Sequence, residues 1–155
     1  MKHIRHYFCT ALLGTAVLTA CSGAEKVKSN TPVQITMWNY YNGAQKEEMD
    51  RLVQEFNDTV GLKQKIVVES VSKGSVSELE DAVRDSTDGK TGSDPLPDFC
   101  SAYADAAYDL WKKDKISDFR PYLTDEEYDS YISGYLEEGN FGTNAAMMIF
   151  PVAKS

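Results

Sequence analysis

Val33-Gln34-Ile35-Thr36-Met37-Trp38 alternates apolar and polar residues, and this period of two predicts a first β-strand. Asn39 to Gly43 is rich in turn formers. From Ala44 the period changes. Met49, Leu52, Val53 and Phe56 fall at helical spacing and predict a helix, with Gly61 as its C-terminal stop. Lys65 to Val71 is rich in β-branched residues and predicts a second strand. Val76, Leu79, Ala82 and Val83 predict a short helix, and Asp85 to Pro97 reads as a loop. Asp98 to Ala102 predicts a short third strand. Tyr103 to Lys113 predicts a helix with Tyr103, Ala107, Leu110 and Trp111 on one face. Thr124 and Glu127 form a capping box. After it, Tyr128, Tyr131, Ile132, Tyr135 and Leu136 predict one sustained helix with a core-facing stripe, ended by Gly139. Ala145 to Val152 predicts a last strand.

The predicted order is β-α-β-α-β-α-α-β. Strands alternating with helices imply an α/β fold with a mostly parallel sheet and right-handed crossovers. In such sheets ligands bind beyond the carboxyl ends of the strands. Those ends are Trp38 to Gly43, Ser72 to Ser75 and Ser101 to Asp105. Two of them mix aromatic with polar residues. Tyr40, Tyr41 and Tyr103 offer flat apolar faces, while Asn39, Asn42 and Asp105 offer directional hydrogen bonds. That combination suits a sugar, which has apolar C–H faces and a rim of hydroxyls. The same tyrosines also suit ordinary half-buried packing. Trp38 follows Met37 directly, so its ring faces away from Val33, Ile35 and Met37. It fits either a core on the second sheet face or a pocket wall.

The chain has 155 residues, enough for one domain with a real core. Met1 to Arg5 is short and basic, and Tyr7 to Ala20 is mostly apolar, closing on Leu18-Thr19-Ala20-Cys21. This is the pattern of a secretory signal over residues 1–20, too short to span a bilayer comfortably. Residues 21–32 are small, polar and charged and read as a flexible tether. Without the leader, 14 bases face 24 acids, a net charge of −10. A body that acidic is suited neither to nucleic acid nor to electrostatic adhesion on an anionic membrane. Both histidines, His3 and His6, lie in the leader, which removes His-assisted nucleophilic catalysis and most zinc patterns from the remainder. With Cys9 in the leader and Cys21 at its end, Cys100 has no partner for a disulfide and reads as a buried, inert thiol.

Several short strings carry no chemistry. Ser70-Val71-Ser72-Lys73 and Lys90-Thr91-Gly92 imitate motifs of penicillin-recognising serine enzymes, but the order and context fail. The acidic stretch Asp85 to Asp98 misses the calcium-loop template. The acids Glu47, Glu48, Asp50 and Asp125 to Glu127 stand at predicted helix starts, where they complement the dipole.

Leu18-Thr19-Ala20-Cys21 resembles the bacterial lipobox, which implies that Cys21 becomes a lipidated N-terminus with acyl chains such as palmitate. Followed by a tether and Ile35-Thr36-Met37-Trp38, it resembles the start of the extracellular solute-binding proteins of bacterial ABC importers, carbohydrate branch. Leu96-Pro97-Asp98-Phe99, Ser101-Ala102-Tyr103-Ala104-Asp105, Ile116 to Leu123 and Ile149-Phe150-Pro151-Val152 resemble later segments of that family in the same order. Three features depart from it: Gly142 to Met147 lacks the usual Tyr-Gly pair, Cys100 replaces a more usual apolar or aromatic residue, and family members are more than twice as long. The resemblance therefore implies that residues 33–155 are the N-terminal part of the first lobe of a two-lobed periplasmic-binding-protein-like fold, without the second lobe. It further implies capture of a sugar or similar small solute outside the cytoplasmic membrane, delivery to ABC permease subunits, and no catalysis, cofactor or metal. Ligand positions map onto Tyr40, Tyr41, Asn42, Tyr103, Asp105 and the neighbourhood of Ser155. The competing readings are a lipoprotein ectoenzyme acting on glycan or cell wall through paired carboxylates, and a surface interaction module.

Overall fold

A computed structural model describes residues 31–141 and 146–152. The leader, Cys21, most of the tether, residues 142–145 and Ser155 lie outside the described residues.

Strand β1 (Val33–Asn39) lies between β2 (Ile66–Ser72) and β3 (Phe99–Cys100), and both pairings are parallel. The β1–β2 register runs from Val33 opposite Ile66 to Asn39 opposite Ser72. On the other side Met37 faces Phe99 and Trp38 faces Cys100. The expected α/β fold with a parallel sheet is therefore present. The β1–β2 and β2–β3 connections cross the sheet in opposite directions, so right-handed crossovers place their helices on opposite faces.

The register puts Trp38, Val71 and Cys100 on one face. There Trp38, 3% exposed, forms a core with Leu79 and Val83 of α3 (Val76–Thr87) and Leu110 of α4 (Ala104–Lys112). Val71, Ala82, Cys100 and Ile116 pack around it. Of the two readings open for Trp38, the structure selects core. The opposite face carries Val33, Ile35, Met37, Ile66, Val68 and Phe99, of which Val33 and Phe99 are exposed. Helix α1 (Gly43–Phe56) has no fully buried residue, and Leu52 of its predicted apolar stripe is exposed.

Four expectations are corrected. Gly61 does not stop the first helix. The chain continues from α1 through a π-helical turn (Asn57–Gly61) into α2 (Leu62–Gln64), and stops at Lys65, whose φ is 58°. Gly61 has a right-handed helical conformation, and what it supplies is space: a Cβ there would lie 2.5 Å from the Ile66 carbonyl oxygen. Second, α3 extends through Asp85, Ser86 and Thr87, because the left-handed residue that ends it is Gly89, with φ 66°. Ser86 Oγ donates to the Ala82 carbonyl at 2.9 Å and Thr87 Oγ1 to that of Val83 at 2.7 Å.

Third, the sustained helix after Thr124 is two helices, α5 (Asp125–Asp129) and α6 (Ser133–Glu138), separated by an extended Ile132. The capping box is present as read, with Glu127 N–H donating to Thr124 Oγ1 at 3.1 Å. Ser130 Oγ donates to the Glu127 carbonyl and Tyr131 N–H to that of Tyr128, which closes α5 after little more than one turn. Ile132 is 67% exposed and Tyr135 is also exposed; of the expected core stripe only Leu136 is buried. Gly139 does end α6.

Fourth, residues 146–152 form no strand. Asp118 holds them instead: Met147 N–H donates to its carboxylate at 2.8 Å, and Phe119 N–H donates to the Met147 carbonyl at 2.8 Å. Met147 is 1% exposed as a result.

Leu79 is the best-buried aliphatic residue of the core cluster, at 2% exposure. Leu79→Ala should lower the unfolding free energy by about 2–5 kcal/mol in urea titrations, with the slope unchanged.

Candidate functional site

The three strand ends meet along one edge because all pairings are parallel. Asn39 ends β1 at 2% exposure, with both polar atoms of its side chain hydrogen-bonded. Its Nδ2 donates to Ser70 Oγ at 2.9 Å, and its Oδ1 accepts the Tyr41 N–H at 3.1 Å. The Lys73 amide donates to the Asn39 carbonyl at 2.8 Å. Asn42 Nδ2 donates to the Gly74 carbonyl at 2.9 Å, and Ser72 Oγ bridges from the Gly74 amide to the Tyr41 carbonyl. The loops after β1 and β2 are thus stitched to each other by side chains. On the β3 side, Ser101 N–H donates to the Trp38 carbonyl at 2.9 Å.

These ties bring three tyrosines together. The Tyr40 and Tyr103 rings lie nearly parallel, at 13° and 6.3 Å between centroids, and Tyr41 tilts against Tyr40 at 5.0 Å. The separation and angle are those of offset aromatic stacking. Tyr40 is half-buried and packs on the Trp38 core, whereas Tyr103 is 44% exposed. Partial burial and the facing Tyr103 phenol push the Tyr40 hydroxyl above the usual phenol range. Tyr103 stands at the N-terminal cap position of α4 in extended backbone, and exposed Asp105 follows in the first turn. The Asp105 carboxylate accepts the Ala106 N–H at 2.9 Å, in the field of the helix N-terminus. Beside Tyr41, an open groove of about 400 Å³ runs along α1 between Ala44, Gln45, Glu48, Met49 and Leu52.

Of the residues read from sequence, Tyr40, Tyr41 and Tyr103 form one cluster, with Asn42 and Asp105 in the flanking loop and helix turn. Asn39 serves the turn and offers no polar atom outward. Ser155 lies outside the described residues. Sequence reasoning passed over Lys73, taking it only as part of a rejected motif. Its Nζ stands 3.7 Å above the Trp38 ring and 3.1 Å from the Asp94 carboxylate, with 16% of the side chain exposed. The available signal was that Lys73 is the one base within the three strand-end loops.

Solved sugar-binding chains share this fold. The chain superposes on the Thermus thermophilus maltotriose binding protein bound with maltotriose with a TM-score of 0.55 at 18% identity, over 74% of this chain and 28% of that one. It superposes on CpMnBP1 with mannotriose bound with a TM-score of 0.52 at 18% identity, over 70% of this chain and 26% of that one. The chain thus spans about a quarter of the length of the solved structures it matches. No family model matches the sequence, and no curated protein matches it.

The carboxylates required by an ectoenzyme reading would need affinities pushed apart within one cleft. Glu48 and Glu127 are both held below the usual carboxylate range, by Arg51 and by the Thr124 cap respectively, on separate helices. Among the described residues, no group of three or more His, Cys, Asp or Glu is placed to hold a metal ion. The Cys100 thiol is partly buried, and that burial raises its pKa.

The raised Tyr40 phenol gives a pH signature. A folded-state value above the ordinary one, near 10, means stability is intact below pH 10 and falls as pH rises through the folded value. Tyr40→Phe should flatten that alkaline decline in unfolding titrations, while leaving stability at pH 7 within about 1 kcal/mol.

Proposed function

We propose that the chain supplies one wall of the sugar site of a substrate-binding component that feeds an ABC importer. Tyr40, Tyr41 and Tyr103 present aromatic faces to sugar C–H surfaces, and Asn42 and Asp105 meet the hydroxyls. Residues near Ser155 join from the last segment. The observation that carries this reading is the offset pair Tyr40–Tyr103, at 6.3 Å, above the coincident carboxyl ends of three parallel strands. The likeness in fold to chains holding maltotriose and mannotriose supports a carbohydrate as the solute.

The sequence carries the rest of the proposal. Residues 1–20 direct export, Cys21 takes the lipid, and 21–32 tether the domain at the extracytoplasmic face of the membrane. The solute is enclosed when a second lobe closes on the rim, and the closed form delivers it to the permease subunits. Closure is a population shift driven by tighter contact in the closed state.

Calorimetric titration of the 155-residue chain with maltotriose or mannotriose should show affinity no tighter than about 1 mM, since one wall supplies part of the contact. Micromolar affinity would contradict closure between two lobes. Saturation-transfer NMR with the same sugars should show transfer to sugar C–H protons that falls in Tyr103→Ala. An absence of transfer to any di- or trisaccharide tried would overturn the carbohydrate assignment.

A further inference from the structure

Strand β2 borders the sheet, and an unpaired border strand is a template for addition of another strand. The ladder fixes which groups face outward. Val33 N–H donates to the Lys65 carbonyl and Lys73 N–H to the Asn39 carbonyl, so the odd-numbered residues of β2 bond to β1. In parallel pairing alternate residues direct both backbone groups to opposite sides. Ile66, Val68, Ser70 and Ser72 therefore turn their N–H and C=O groups away from β1.

The segment that leaves α1 lies against this border. Asn57 Nδ2 donates to the Val68 carbonyl at 2.9 Å, and the Val68 N–H donates to Asn57 Oδ1 at 2.8 Å. One side-chain amide thereby takes both bonds that a neighbouring strand would take at that position. Four residues later Gly61 approaches the Ile66 carbonyl so closely that a Cβ would lie 2.5 Å from it. The π-helical turn Asn57–Gly61 holds the two contacts together, with Asn57 at its first residue and Gly61 at its last.

We infer that the π-helical turn is a guard that keeps a second copy of this chain from adding its own β2 along the border of the sheet. The occupant is a second copy because the border is self-complementary: across a two-fold axis the outward N–H and C=O groups of Ile66, Val68, Ser70 and Ser72 in one copy meet the same groups, reversed, in the other. Val67, 37% exposed on the sheet face that carries Trp38 and Val71, would add apolar contact to such a pairing.

The test uses the 155-residue chain and variants prepared alike. In the parent, the Val68 amide should exchange with deuterium about tenfold more slowly than in Asn57→Ala, with Val67 and Glu69 unchanged. Asn57→Ala should show a concentration-dependent rise in sedimentation coefficient that the parent lacks. Adding Val68→Pro, which deletes the outward N–H and leaves the β1 ladder intact, should return the parent's behaviour. Asn57→Asp keeps the acceptor and the shape but loses the donor, and should show the same changes at smaller amplitude even where Asn57→Ala does not fold. Fast exchange at Val68 in the parent, parent-like sedimentation of a folded Asn57→Ala, or undiminished association of the double variant would each overturn the inference.

Discussion

The bond from the Lys73 amide to the Asn39 carbonyl, at 2.8 Å, closes the last rung of a parallel ladder that begins at Val33. Parallel pairing is what makes the carboxyl ends of β1, β2 and β3 coincide, and the aromatic rim exists because they do. An antiparallel partner would have placed Gly74 or Tyr103 at the far edge of the sheet. The same register sets Trp38 beside Val71 and Cys100, so that one face receives α3 and α4 as a closed core. The rim therefore stands on that core, with Tyr40 packing on both.

Where the backbone ladder runs out, carboxamide and carboxylate side chains continue it. Asn57 completes the Val68 position on the border of β2, and Asp98 accepts the Thr36 N–H at 2.8 Å just before β3 begins. Asp118 holds both the Arg120 and Met147 amides, bringing residues 146–152 against the turn that follows α4. Each satisfies a backbone donor that no neighbouring strand reaches. This explains why β3 spans only Phe99–Cys100 although the sequence from Asp98 to Ala102 has strand character: its first position is taken by an acid side chain.

The parallel α/β order, the three strands, the helix after each of them and the Thr124 capping box were all legible, because periodicity and caps are local signals. Gly61 was misread because glycine answers two different needs, left-handed backbone and absent volume, and only the neighbouring Ile66 carbonyl tells them apart. The break at Ile132 escaped because the spacing from Tyr128 to Leu136 fits a helix regardless of whether the backbone turns between them. The strand expected over Ala145 to Val152 rested on apolar content, which Met147 satisfies equally well as a buried residue in irregular chain. At the rim, the tyrosines were found by their position after strands. Asn39 and Lys73 were not distinguished, since the partners that define them, Ser70 and Trp38, are distant in sequence.

The two sides of the rim differ in how they are braced. Tyr40 and Tyr41 ride on loops cross-braced through Asn42, Ser72 and Gly74 to a seven-residue strand. Tyr103 rides on a two-residue strand and the cap of α4. For the solute proposed above, this asymmetry predicts that fitting falls to the Tyr103 side while the Tyr40 side keeps its plane.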